Sequence, residues 1–244
     1  MLSIIQIILA AAGAGTVIDS LYAIKKAVYE DKITTFGHLL KAMKEDFRDD
    51  EILRQYLLHK VPKFCKDKDA TEFGKKVMDD LAECLGGQAN YRGGKFEPSL
   101  FAFYSYNWFK NVTIATADGR KSESALSRGV NPSESTENIN IAALLDAIKT
   151  MDYTKYPGGA VIYMDIPLMY KTPQPSLFAS VMRAFCENGG SIMDFNVISR
   201  NALLEAQKNP ETHKNIVVRV CGYSAYFHTL TAEMQNEVIQ RTQR

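Results

Sequence analysis

Val218-Arg219-Val220-Cys221-Gly222-Tyr223-Ser224-Ala225-Tyr226-Phe227 is the stretch on which the reading of this chain turns. With Val217 it opens as a run of β-branched residues, which favours a buried strand. Gly222 follows after Cys221, so the strand ends in a turn that needs positive φ or a close backbone approach. On that pattern alone the glycine is a structural punctuation mark.

Working outward, the last third of the chain reads as α/β. The spacing predicts helices over 139–151, 177–188 (closed by Gly189-Gly190), 202–208 (ended by Pro210) and 233–241. It predicts strands over 160–166, 191–198 and 216–220. Strands alternating with helices imply parallel pairing through right-handed crossovers. The first third is helical. Leu21, Ile24 and Val28, then Phe36, Leu39, Leu40 and Met43, recur at helical spacing and give two helices joined around Asp31-Lys32. Further helices are expected over 51–58, stopped near Pro62, and over 69–85, ended by Gly86-Gly87. Between the two thirds lie an aromatic stretch (100–109), the turn signature Ala117-Asp118-Gly119-Arg120 and a polar segment, 122–140. The polar segment reads as a long ordered loop that is functional or packed against something.

Residues 1–18 are almost uninterruptedly apolar, without the basic start of a signal peptide, and read as a buried core helix. A membrane or export segment, or an abnormal start inside a longer gene, are the alternatives. The chain has 244 residues, 46% of them hydrophobic, and a net charge of +1. That is enough apolar material for a core, and the scattered basic residues exclude a nucleic-acid footprint. Four cysteines far apart give neither a zinc pattern nor a disulfide framework. No metal site is expected, and free thiols fit a cytoplasmic protein.

The wider run resembles the C-terminal signature of glycyl radical enzymes. Leu230, Gln235, Ile239 and Arg241-Thr242 continue the match to Arg-Val-x-Gly-[Tyr/Phe], a hydrophobic loop and a helix ending in Arg-Thr. So do Phe195-Asn196-Val197, Ala115-Thr116-Ala117-Asp118-Gly119-Arg120-Lys121, Met151-Asp152-Tyr153-Thr154 and Asp19-Ser20-Leu21 with Ala23-Ile24-Lys25-Lys26. The resemblance implies an α/β fold: the C-terminal part of a ten-stranded barrel of the glycyl radical enzyme type, with a helical N-terminal third. Residues 1–90 would close the pyruvate formate-lyase-like domain. Residues 91–244 would hold the glycine radical domain, from about 120 onward.

The resemblance implies that Gly222 carries the radical. Loss of a Cα hydrogen leaves an electron stabilised by the amide nitrogen on one side and the carbonyl on the other, which needs a planar carbon with no Cβ to crowd it. Arg219 would anchor the turn, and Val220, Tyr223 and Phe227, with Val218, would bury the loop and exclude oxygen. Arg241 matches an arginine that dehydratases of the family place near the substrate pocket; a basic residue favoured at a helix C-terminus is the plain alternative. No cofactor would be bound permanently. A radical-SAM activating enzyme, using S-adenosylmethionine and an iron–sulfur cluster, would install the radical.

In the family a cysteine in a Gly-Cys-x-Glu loop uses the radical, and no such loop occurs here. Cys65 follows a different sequence, Cys84 and Cys186 read as core thiols on helices, and Cys221 merely adjoins the glycine. The expectation is therefore the C-terminal part of an anaerobic lyase or dehydratase, formate acetyltransferase-like. It would work with an N-terminal half or a homologous subunit, and a homodimer is compatible with it. The alternative is a non-catalytic radical carrier, a spare part that restores an oxygen-damaged enzyme. No membrane or nucleic-acid partner is expected.

Overall fold

The computed structural model describes residues 6–101, 108–136, 141–165, 175–220 and 222–241. Helices and strands mix along the chain, which divides into two compact units. One comprises residues 1–161 and 183–192, the other 162–182 and 193–244.

The first unit opens on a strand, β1 (Ile7–Ala10), where the sequence suggested a helix over 1–18. Ile7 and Ile8 are β-branched and favour extended backbone. They pair in parallel with β2 (Phe96–Ser99), Ile7 opposite Phe96 and Ala10 opposite Ser99. Gly13 at φ +84° then separates the strand from helix α1 (Ala14–Ile24). Its continuation, Lys25–Glu30, is π-helical.

Helices α2 (Phe36–Lys44), α3 (Glu51–His59) and α4 (Lys68–Leu85) follow close to their expected bounds. The Thr35 hydroxyl caps α2 by accepting from His38 N, and the Asp67 carboxylate caps α4 by accepting from Ala70 N. Tyr22, Leu39, Phe47, Leu57 and Val61 meet in a core with Ala115 and Ala117. Completely burying such side chains contributes about 1.5–3 kcal/mol each.

The polar segment after Gly119 is packed inward as anticipated, with Ser127, Arg128, Ser133 and Thr136 all buried. Gly129 allows this. At φ +48° it lies so close to the main chain of Val161 that a Cβ would meet the Val161 carbonyl oxygen at 2.2 Å. Helix α5 (Ile141–Thr150) comes after this segment.

Strand β3 (Val161–Asp165) pairs with β4 (Ile192–Asn196), and helix α6 (Pro175–Glu187) lies between them in the chain. In the second unit, α7 (Arg200–Lys208) starts two residues before its expected position because the Ser199 hydroxyl caps it, accepting from Ala202 N at 3.2 Å. Two short strands, β5 (Val217–Arg219) and β6 (Ser224–Tyr226), form an antiparallel hairpin, and α8 (Ala232–Arg241) follows. The core here is Leu203 and Ala206 of α7, Val218, Val220 and Phe227 around the hairpin, and Val238 and Ile239 of α8.

Candidate functional site

The hairpin sets Val217 opposite Tyr226, Val218 opposite Ala225 and Arg219 opposite Ser224. Beyond Arg219, the Val220 N–H donates to the Tyr223 carbonyl at 2.9 Å, so four residues close the turn. Gly222 stands third in it, at φ +77° and exposed. Positive φ at that position of a turn is what glycine supplies without steric cost. Cys221 lies outside the described residues.

Strand β4 grips this turn. Asp194 and Asn196, two residues apart on one face, are 4% and 8% exposed. Asp194 Oδ1 accepts from Arg219 Nε at 2.9 Å, and Asp194 Oδ2 accepts from the Gly222 N–H at 3.0 Å. Asn196 pairs with the Arg219 backbone in both directions: Arg219 N–H donates to Asn196 Oδ1 at 2.7 Å, and Asn196 Nδ2 donates to the Arg219 carbonyl at 3.0 Å. The glycine and the arginine three residues before it are thus fixed to a single strand.

The side chains flanking the glycine divide by burial. Val218, Val220 and Phe227 are at most 1% exposed, whereas Tyr223 is 48% exposed and differs from the inward placement expected of it. Arg219 keeps its guanidinium partly in solvent, its Nη1 3.4 Å from Ser224 Oγ. Arg241 ends α8, and its side chain lies outside the described residues.

Asp194 was not singled out in the sequence, and Asn196 figured only in a matching segment. A signal was available: polar residues at alternate positions of a buried strand need partners, because an unpaired buried carboxylate is strongly disfavoured.

A second cluster lies within the first unit, around the Asp118-Gly119-Arg120 turn. Asp118 is fully buried and accepts from the hydroxyls of Thr116, Ser20, Ser133 and Ser135. Burial opposes its charge, but Lys63 and these hydroxyls hold its carboxyl below the usual range. Lys63 donates to the Asp118 carbonyl at 2.9 Å. Asp19, also fully buried, accepts from Phe64 N at 2.8 Å and from the Thr136 hydroxyl at 3.0 Å, and burial raises its pKa to about 6. Arg120 donates to the carbonyls of Ile114, Lys121 and Ser124. This network accounts for the turn as a structural hub: one carboxylate and one guanidinium satisfy the backbone and hydroxyls of a buried loop.

The thiols fall differently from expectation. Cys84 and Cys186 are exposed. The buried stripe of α4 runs through Ala70, Gly74, Met78 and Ala82, and Cys84 lies two residues on, on the opposite face. Cys186 shares the outer side of α6 with Met182 and Arg183. Cys65 is buried at φ +68°, and burial pushes its thiol well above its usual pKa. Among the described residues no cluster of His, Cys, Asp and Glu could hold a metal ion, and no helix is long and apolar enough to cross a membrane.

Comparison with known proteins places these features. The pyruvate formate lyase-like family model matches residues 5–110, and the glycine radical model matches residues 126–228. The chain is 30% identical to trans-4-hydroxy-L-proline dehydratase of Clostridioides difficile over 95% of its own length and 30% of that protein's. It is 34% identical to isethionate sulfite-lyase of Nitratidesulfovibrio vulgaris over 94% of its length and 28% of that protein's. Among solved structures it matches the glycerol-bound glycerol dehydratase of Clostridium butyricum with a TM-score of 0.87 at 30% identity, over 97% of this chain and 30% of that one. A glycyl radical enzyme from Archaeoglobus fulgidus matches with a TM-score of 0.85 at 29% identity, again over 97% of this chain and 30% of that one. The chain therefore spans about 30% of the length of the curated relatives it matches. It belongs to the glycyl radical enzyme family, and its α/β fold is that of the corresponding stretch of those barrels.

Proposed function

We propose that this member of the glycyl radical enzymes stores an unpaired electron on Gly222, as the radical-bearing part of a lyase or dehydratase. The observation that carries the reading is the hairpin turn itself. A glycine at φ +77° sits at an exposed tip on a buried base, within the span that matches the glycine radical model. Radical formation breaks one Cα–H bond of Gly222 homolytically. The hydrogen atom leaves with the carbon radical that an activating enzyme generates from S-adenosylmethionine, and one electron stays on the glycine. The chain's own residues orient and shield: Arg219, Asp194 and Asn196 fix the turn, and Val218, Val220 and Phe227 support it from below.

None of the chain's described thiols suits the partner step, in which a cysteine gives its hydrogen atom to the glycyl radical. Cys65 is sealed in a core, and Cys84 and Cys186 lie on outer helix faces. We assign that thiol to another segment or chain, working with this one in the cytoplasm. The pyruvate formate lyase-like match over residues 5–110 favours an enzyme part over a bare radical carrier, which needs only the glycine radical region. The relatives' names favour carbon–heteroatom elimination as the reaction class, among them a dehydratase and a sulfite-lyase.

Oxygen tests the storage role. A glycyl radical exposed to air cleaves its own backbone, so the activated chain should release the peptide beginning near Tyr223, seen by mass spectrometry. Gly222→Ala should stay intact. Cleavage elsewhere, or equal cleavage in the variant, would place the radical on another residue.

A further inference from the structure

We propose that Asp194 is a positioning residue for the Gly222 radical, and that its negative charge tunes the radical as well as holding the turn. This rests on the storage role above. The two oxygens of one carboxylate are divided between Arg219 Nε at 2.9 Å and the Gly222 N–H at 3.0 Å. Asp194 is 4% exposed, so water is a poor substitute for either partner. Asn196 on the same face of β4 fixes the Arg219 backbone, which leaves the carboxylate little freedom to drift from the glycine.

The electronic consequence follows from how a glycyl radical is stabilised. The amide nitrogen donates density toward the half-empty Cα orbital and so becomes more positive than in resting glycine. A hydrogen bond from its N–H to an anion strengthens as that charge develops. Charge-assisted hydrogen bonds are roughly twice as strong as neutral ones, and burial amplifies the difference. Asp194 therefore binds the radical state more tightly than the closed-shell glycine. An amide at this position would keep the shape and one acceptor oxygen but lose the charge. Arg219, paired with the other oxygen, keeps the carboxylate aimed.

The test uses Asp194→Asn in the full chain, labelled with nitrogen-15 glycine. Before activation, the Gly222 amide cross-peak is identified by its absence from Gly222→Ala. In Asp194→Asn its proton should move upfield and exchange with solvent several-fold faster. After anaerobic incubation with a glycyl radical activating enzyme, S-adenosylmethionine and a reductant, paramagnetic resonance reads the nitrogen hyperfine coupling and the decay of the signal. The coupling should fall in Asp194→Asn and the decay should quicken several-fold. Leu203→Ala, which loosens the packing beneath the hairpin and leaves the Asp194 charge in place, should keep the wild-type coupling although the hairpin amides exchange faster; this separates tuning from general loosening of the turn. An unchanged cross-peak, or unchanged coupling and decay, in Asp194→Asn overturns the proposal. A wild-type chain that gives no radical signal counts against the storage role instead, and the amide exchange then still decides whether Asp194 holds Gly222.

Discussion

Under the proposed storage role, position 222 has to satisfy two demands that only glycine meets together. The turn places it at φ +77°, and a planar radical carbon tolerates no Cβ in its plane. An alanine there meets the left-handed penalty of about 1–2 kcal/mol. Gly222→Ala is therefore expected to lower unfolding stability by about that amount in urea titration, while removing the radical completely. A loss of stability without loss of the radical would separate the two demands and reassign the electron. The glycine turn was legible in the sequence because a run of β-branched residues leads straight up to it. Its partner Asp194 was not. Strand β4 reads as Ile192-Met193-Asp194-Phe195-Asn196, and nothing local says which distant backbone group a buried carboxylate will meet. Arg219 lay in plain view, but its placement depends on a residue 25 positions away.

Elements were legible where periodicity was long and hidden where they depend on a partner. Helices α3 and α4 fell within a residue or so of expectation because their apolar spacing and caps are encoded locally. Strands β1, β2 and β6 were missed. Each has only a few residues and becomes a strand through a partner, β1 and β2 through each other and β6 through β5. The exposed thiols of Cys84 and Cys186 show the same limit from the other side, since a residue type that is usually buried says nothing about the face it occupies. Helix α7 illustrates what the elements do for the site. Leu203 is fully buried and packs in one cluster with Val218, Val220 and Phe227, at the base of the β5–β6 hairpin. Leu203→Ala leaves a cavity there and is expected to cost about 3 kcal/mol of stability. It should also speed amide exchange across β5 and β6 while leaving the first unit's core unchanged. Uniform protection across the hairpin in the variant would show that α7 does not support it.

Across the whole chain, stability carries a pH signature from Asp19. Its carboxyl is held at about pH 6 by burial, partly opposed by Lys63 and the bond from Phe64 N, with Asp118 adding a second negative charge nearby. A carboxyl whose folded pKa lies above its unfolded value stabilises the fold in its protonated form. That stability is fully present below about pH 4 and is lost as pH rises through about 6. A shift from 3.8 to about 6 corresponds to roughly 3 kcal/mol. Denaturant titrations at pH 4.5 and 7 should therefore show Asp19→Asn gaining on wild type at the higher pH, and a constant gap would contradict the assignment. The claim that matters most for the molecule is the electron on Gly222, and paramagnetic resonance tests it directly. After anaerobic activation the chain should give a doublet from the single remaining Cα hydrogen, collapsing to a singlet when the glycines are deuterated at Cα and vanishing in Gly222→Ala. A doublet that persists in Gly222→Ala, or no signal from wild type with an activating enzyme that works on its own substrate, would contradict the account.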